Sequence, residues 1–395
     1  MKGFDDKLLK LFEIVFARLL SFRNRSKEDG LPSGIEDARY GTCVEMLERK
    51  YQNTGMEAAS LAASVRIQCL CRGSWSGHQK STALKGLEIP TFVEIASSIL
   101  ENVSVEALFH GNVDIPGAKK AAALIENMLK SSGGGVLPKK KHYYQFVSKL
   151  PTSKEPVIIT VPSKDAESRN TAVEVYFQVG KDNIMDRVII DMLVHLMNEP
   201  LYNQLRTKEQ FGYRVHVDSR WSVGVMGFKF SVVTAVKSAA ATTERIEKFL
   251  VDFRADLVKM TPKDYFQNLL ALATEKLDTF NSLSEETSSF WSEIRDKRFD
   301  WEVNRNEALA LRNVTQETVI ACFDKWLNPE SERIMMVVQA ICAPNGDNDG
   351  HDGNSASSGR PEVESAIDVG PFCDARVKEF HEKVCKNQNL GKIFT

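Results

Sequence analysis

One polar stretch between a helical pattern and a strand pattern carries the residues best suited to chemistry. It reads EPLYNQLRTKEQFGY and occupies residues 199–213. Gly212 is typical of the position just beyond a helix, and a strand pattern follows it, so Arg206 and Tyr213 are predicted near one corner. A guanidinium and a phenol can together bind a peptide carbonyl or the oxyanion formed when that carbonyl is attacked. From the residues alone, a surface helix with salt bridges is the commoner explanation.

No self-contained catalytic site is visible elsewhere. The sequence has seven histidines but no HExxH or HxxEH motif, so the histidine pair of a peptidase zinc site is absent. Asp191, His195 and Glu199 lie on one predicted helical face and could hold a metal. A solvated His–Asp pair on an amphipathic helix explains the same spacing more simply, and no metal ligand is predicted.

Composition excludes several classes of partner. The chain has 395 residues with 51 basic and 53 acidic side chains, and this balance creates no field that would attract nucleic acid or an anionic membrane. The first apolar helix, Leu8 to Phe22, is interrupted by charged residues and predicts neither a signal peptide nor a membrane span. The seven cysteines contain no CxxC pair and are interpreted as reduced thiols, which predicts a cytoplasmic protein.

The first 130 residues have a mostly helical pattern. An alternation of apolar residues from Val103 to Phe109 predicts one strand, and a helix is predicted from Gly117 to Lys130. A single strand needs neighbours to satisfy its backbone. We therefore expect the chain to begin inside a domain.

The second half combines strands and helices in the order expected of an α+β domain, a sheet covered by helices. Strands are predicted at 143–149, 157–161, 171–179, 213–218, 223–233 and 333–340, and helices at 183–198, 200–210, 237–258, 262–276, 283–296 and 316–327. Thr261 before Pro262, and Ser282 before Glu285, are typical helix starts.

Two segments have the composition of connections. Gly and Lys residues mark 131–142 as a flexible linker, and 342–372 is rich in Gly, Asn, Asp and Ser with little apolar content, which predicts a disordered acidic loop. A terminal helix and tail occupy 373–395. The remaining residues form a first unit, 1–130, and a second unit, 143–341.

The polar stretch closely resembles the motif EPxxxxLRTKEQLGY in the C-terminal half of insulin-degrading enzyme, nardilysin and pitrilysin. Other segments are similar to this family in the same order: KGFDDK (2–7), EALFHGN (106–112), GFKF (227–230), FWSEI (290–294) and RFD (298–300). The resemblance spans about residues 1–329. Phe211 stands where leucine is usual in the family, and Arg214 where an apolar residue is usual.

The resemblance implies a zinc metalloendopeptidase built from four related two-layer α/β units, with a mixed or antiparallel sheet covered by helices in each. The zinc site and general base belong to the N-terminal half, and the C-terminal half encloses the peptide substrate. Residues 1–130 would be the latter part of the third unit, which is incomplete here, and 143–341 the fourth. The residues matching Arg206 and Tyr213 hold the substrate backbone near the scissile bond.

This chain is therefore expected to be the substrate-binding half of a cytoplasmic peptide-degrading enzyme, catalytically incomplete alone. Its expected partners are peptide substrates and a zinc-bearing N-terminal half, which could be part of the same gene product or a separate chain. Two alternatives stay open: a non-catalytic peptide-binding module, and a truncated, inactive fragment.

Overall fold

The computed structural model describes residues 1–3, 5–23, 35–133, 135–136, 146–165, 167–342 and 369–386. The predicted linker at 131–142 and the predicted loop at 342–372 fall mostly outside these residues, as does the tail after 386.

The contacts of the chain divide it into two compact units. The first comprises Met1–Gln52, Lys80–Tyr144 and Phe280–Ser292, and the second comprises Asn53–Gln79, Gln145–Thr279 and Glu293–Thr395. Residues 53–79 therefore belong to the second unit by their contacts, whereas the sequence pattern places them in the predicted first unit, 1–130.

The described residues of the first unit are mainly helical. Its helices are α1 (Asp5–Leu20, extended by a 3₁₀ turn at Ser21–Arg23), α2 (Asp37–Gln52), the end of α4 (Gly77–Leu84), α5 (Ile89–Glu101), α6 (Ile115–Ser131) and the beginning of α10 (Leu283–Arg295). Helix α2 has no buried residue. Helix α2 therefore gains little from apolar burial.

The predicted strand from Val103 to Phe109 is wrong in extent. Only β1 (Asn102–Val103) forms, and it pairs in parallel with β2 (Gly135–Val136). Residues 104–110 have no regular structure, and most of them are exposed. Apolar alternation produces a strand only where neighbours supply backbone partners.

Two segments of the family resemblance meet inside the first unit. The Nδ1 atom of His110 lies 2.7 Å from Oγ1 of Thr287. The His110 ring also packs edge-on against Phe290, with the two centroids 5.2 Å apart. The segment 106–112 is therefore held by the side of α10.

The second unit is built on a mixed sheet. Its described strands are β3 (Val157–Pro162), β4 (Thr171–Lys181), β5 (Arg214–Ser222), β6 (Val225–Thr234) and β7 (Met335–Ile341), in the spatial order β3-β7-β4-β6-β5. Its helices are α3 (Ala58–Leu70), α7 (Ile184–Leu201), α8 (Ala239–Lys259), α9 (Pro262–Leu277), α11 (Val303–Leu311), α12 (Gln316–Trp326) and α13 (Val369–Lys386). Strands β3 and β7 are parallel, and the other pairings are antiparallel. The predicted α+β class is confirmed.

Both faces of this sheet are covered by side chains. In β4, Val173, Val175 and Phe177 belong to the main core formed with α7, α8 and α12. Ala172 and Tyr176 point to a second core that includes residues of α3 and α13. Alternate side chains of β4 point to opposite faces of the sheet. Because both faces are covered, successive residues of β4 are buried.

Three elements of the second unit differ from their predicted forms. Of the strand predicted at 143–149, the described residues 146–149 contain only an isolated bridge between Val147 and Cys71. The turn between β5 and β6 is Val223-Gly224, both at positive φ, so β6 begins two residues later than predicted. Helix α11 was not predicted; four polar residues follow its first residue, Val303. In the fold, an ion pair with another helix holds α11: Glu307 lies 2.8 Å from Arg187 of α7.

Candidate functional site

The polar stretch 199–213 continues directly from α7. This helix starts at the N-cap Asn183, whose side chain accepts a hydrogen bond from the backbone of Asp186. Pro200 lies inside the last turn and cannot donate a backbone hydrogen bond. The chain then widens into a π-helical turn, Tyr202–Lys208. Single π-helical turns are often found at functional sites.

Two buried side chains anchor this turn. Leu205 and Phe211 both belong to the main core, and the backbone N–H of Phe211 donates to the carbonyl of Leu205 at 2.7 Å. Arg206, between them, is exposed. The core therefore fixes the backbone while leaving the guanidinium accessible.

The predicted role of Gly212 as the residue that ends the helix is wrong. The left-handed conformation belongs to Gln210, with φ of 49°. Gly212 meets a different requirement: a Cβ atom there would lie 2.2 Å from the carbonyl oxygen of Val233. Glycine lets the chain pass against the end of β6 before β5 begins.

Gly212 lies between the π-helical turn and β5, and it links Arg206 to Tyr213. Nη1 of Arg206 donates to the carbonyl oxygen of Gly212 at 3.1 Å, and the next residue is Tyr213. The backbone N–H of Tyr213 donates to Val233 at 3.1 Å, and its side chain is 46% exposed. A phenol and the remaining N–H groups of a guanidinium, both exposed, are thus carried by neighbouring stretches of backbone.

Glu209 ties the polar stretch to α8, a connection that sequence reasoning missed. Arg245 of α8 donates to both of its carboxylate oxygens, at 2.6 to 3.0 Å, and Gln204 donates to one of them at 2.6 Å. The hydrogen bond from Arg245 lowers the pKa of Glu209 below its usual value. No local pattern links these residues, because Arg245 lies 36 positions along the chain.

The two departures from the family motif are accommodated locally. Phe211 packs in the core, and Nζ of Lys237 lies 5.6 Å from the centre of its ring. Arg214, the first residue of β5, pairs with Glu57 at 3.0 Å, with both side chains partly exposed. An arginine therefore stands at this position without entering the apolar core.

The predicted stripe of Asp191, His195 and Glu199 has a structural partner. Asp191 lies 2.6 Å from Nζ of Lys276, which also pairs with Glu307. Burial raises the pKa of Asp191, and the nearby Lys276 partly offsets that effect. An ammonium thus occupies the place next to Asp191 that a metal cation would need.

Within the described ranges, no group of three or more His, Cys, Asp or Glu side chains is placed to hold a metal ion. These described residues therefore offer no set of zinc ligands, and the resemblance assigns the zinc to an N-terminal half. No described helix is long and apolar enough to cross a membrane.

Comparisons with known proteins bear directly on the motif. A family model for "PQQ synthase PqqF-like, C-terminal lobe domain 4" matches residues 192–291, which include the polar stretch. A nardilysin-like protein of Arabidopsis thaliana is 27% identical over 335 residues, and human insulin-degrading enzyme is 24% identical over 336 residues. The predicted family resemblance is confirmed.

Solved structures show the same fold. Pitrilysin superposes with a TM-score of 0.71 over 94% of this chain and 37% of its own, at 16% identity. A peptidase M16 inactive domain from Pseudomonas fluorescens superposes with a TM-score of 0.57 over 86% of this chain and 76% of its own, at 12% identity. The chain thus has the fold of pitrilysin and of this M16 domain, which is itself described as inactive.

The relatives found by sequence are much longer than the matched region. The matches cover 84% of this chain but 31% of each of these two relatives. The chain therefore corresponds to about a third of their length.

Proposed function

We propose that this chain is the substrate-enclosing half of a zinc metalloendopeptidase that degrades peptides in the cytoplasm. Arg206 and Tyr213 would hold the peptide backbone beside the scissile bond. The observation that supports this proposal is the hydrogen bond from Arg206 to the carbonyl oxygen of Gly212, the residue before Tyr213.

Each residue has a separate role in the proposal. Arg206 supplies N–H donors to a substrate carbonyl, and it does so equally before and during the reaction. Tyr213 supplies one O–H donor to the oxygen on which negative charge develops. A donor that acts mainly on the developing charge accelerates the chemical step, whereas one that acts throughout mainly increases affinity.

Zinc and the general base would come from an N-terminal half. The sequence has no HxxEH, and no candidate metal cluster occurs among the described residues. The parts assigned to this chain are binding and orientation of the peptide and donation to its carbonyl oxygen.

Reconstitution tests this proposal. The purified chain is mixed with a matching zinc-bearing N-terminal half, and cleavage of a fluorogenic peptide is followed with each half alone and with both. Hydrolysis only in the mixture supports the proposal. Complex formation by gel filtration without any hydrolysis would contradict it.

A non-catalytic peptide-binding module is the second candidate. The similarity to a domain described as inactive favours it. For such a module the reconstituted pair would bind a fluorescent peptide without cleaving it, and Arg206→Ala would weaken that binding. Peptide affinity and peptide cleavage, measured on the same sample, therefore separate the two candidates.

A further inference from the structure

Three buried polar groups gather on the face of the sheet that α3 covers. Arg66 of α3 is 1% exposed and Tyr176 of β4 is fully buried. Nη1 of Arg66, the hydroxyl of Tyr176 and Nε of Arg220 are buried and have no hydrogen-bonding partner among the described residues. Such groups are rare, because burial without a partner costs the full desolvation of the donor.

The sheet register brings these groups close together. Gln178, Gly227 and Arg220 face one another across β4, β6 and β5. A Cβ atom on Gly227 would lie 2.7 Å from the Tyr176 ring, on the side that carries the hydroxyl. Because Gly227 has no side chain, the ring of Tyr176 can lie across β6 towards Arg220 on β5. The Arg66 guanidinium lies 5.5 Å from the centre of the same ring.

The carboxylates nearby are already committed to other cations. Glu174 accepts a hydrogen bond from Nε of Arg66 at 3.0 Å, and Lys229 lies 3.9 Å from its other oxygen. Asp218 pairs with Lys229 at 3.0 Å and lies 3.2 Å from Nε2 of His216. Gln178 donates to the carbonyl of Ser148 and accepts from the backbone N–H of Leu150, and it makes no hydrogen bond with the Tyr176 hydroxyl.

The cluster therefore has an excess of positive charge. Among the described residues, the carboxylates that interact with Arg66, Arg220 and Lys229 are those of Glu174 and Asp218. Burial, followed by the charge of Arg66, lowers the pKa of Arg220, as expected where two guanidinium groups share one environment of low polarity. Burial raises the pKa of Tyr176, which keeps its hydroxyl a neutral donor. Donors in excess, with net positive charge, favour an anion over a cation.

We propose that Arg66, Tyr176 and Arg220 form an internal binding site for one small monovalent anion of halide size. The anion accepts from Nη1 of Arg66, the Tyr176 hydroxyl and Nε of Arg220, and it neutralises the excess charge. Because Arg66 belongs to α3, while Tyr176 and Arg220 belong to the sheet, the bound anion stabilises the packing of α3 on the sheet. Arg220 is partly exposed and marks the side from which the ion enters. This site does not depend on the proposed peptidase role.

Halide-dependent stability tests the site on the full chain. The urea midpoint is measured in sodium gluconate, sodium chloride, sodium bromide and sodium sulfate at constant ionic strength. We expect a saturable increase in chloride and bromide and no saturable increase in gluconate or sulfate, because those anions are too large for a buried site. Sulfate is excluded from protein surfaces, so it should raise the midpoint only gradually with its concentration. An equal effect of all four salts would overturn the proposal.

Substitutions in the cluster test whether the halide-dependent stability arises at this site. Arg220→Gln removes the partly exposed donor and should abolish the halide dependence, and Tyr176→Phe should reduce it at least several-fold. Arg312→Gln, at an exposed arginine outside the cluster, should retain the full dependence. Unchanged halide dependence in Arg220→Gln would exclude this site.

Bromide-soaked crystals provide a readout that does not require any variant to fold. An anomalous peak between Arg66, Tyr176 and Arg220 is expected. Bromide only at surface positions, with a water molecule in the cluster, would overturn the proposal.

Discussion

Arg206 donates a hydrogen bond to the carbonyl oxygen of Gly212, so the guanidinium holds the residue that precedes Tyr213. One arginine thereby connects the π-helical turn after α7 to the start of β5. The relationship links the two residues of the family motif for which a role in substrate binding is proposed.

Arg206→Ala should weaken peptide binding by the reconstituted halves. The lost donors act on the peptide in the ground state and the transition state alike, so KM should rise about tenfold, equivalent to about 1.4 kcal/mol, with little change in kcat. Lys208→Ala, which removes an exposed cation from the same turn, is the matched control and should have little effect. Steady-state kinetics give KM and kcat for both variants. Equal effects of the two substitutions would contradict a specific role of Arg206.

Tyr213→Phe should act mainly on kcat. Loss of one donor to a developing oxyanion lowers kcat by about 10 to 1,000-fold. The side chain is about half exposed, so the urea midpoint should stay at the wild-type value. A variant that assembles normally by gel filtration and cleaves at the wild-type rate would assign Tyr213 a structural role.

Gly212→Ala should destabilise the second unit. The added Cβ atom would meet the carbonyl oxygen of Val233 at 2.2 Å, and relief of that overlap costs about 1 to 3 kcal/mol. Gly41→Ala is the matched control, because nothing lies within 4 Å of its added Cβ atom and α2 tolerates alanine. Urea unfolding measures both changes, and a neutral Gly212→Ala would show that the chain does not need glycine there.

Glu209 should make the polar stretch sensitive to acid. Its pKa is lowered in the folded state by Arg245, so its contribution to stability is present above its ordinary value of about 4.3 and is lost as the pH falls through the lowered pKa. The urea midpoint of wild type should therefore fall more steeply below about pH 4.3 than that of Glu209→Gln. Glu244→Gln, at an exposed glutamate on α8, should retain the wild-type slope. Identical slopes for wild type and Glu209→Gln would show that the Arg245 pair does not stabilise the fold.

Protection of backbone amides from hydrogen exchange should differ between α2 and α3. Helix α2 has no buried residue, whereas α3 buries most of its length in the second core. Hydrogen exchange at Ala58–Leu70 should therefore be slow, and exchange at Asp37–Gln52 should approach that of an unprotected helix. Limited proteolysis with mass spectrometry should likewise cut α2 first. Equal protection of both helices would contradict this assignment.

The sequence alone identified the elements whose signals are local. Thr261 caps α9 as predicted, because its hydroxyl needs only the backbone of Asp264 three residues away. The helix, turn and strand around Arg206 and Tyr213 were predicted to meet at a corner for the same reason: few residues separate them. The α+β class also followed from periodic patterns along each element.

Tertiary structure decided the features that depend on distant partners. The helical pattern of the first 130 residues did not show that α3 covers one face of the sheet. Glu209 could not be linked to Arg245, because nothing nearby in the chain marks that pair. The alternation after Val103 produced only β1, since a strand exists only where another strand completes its hydrogen bonds. Gly212 was correctly singled out but for the wrong reason: the close approach of Val233, which requires glycine, exists only once β6 has folded beside it.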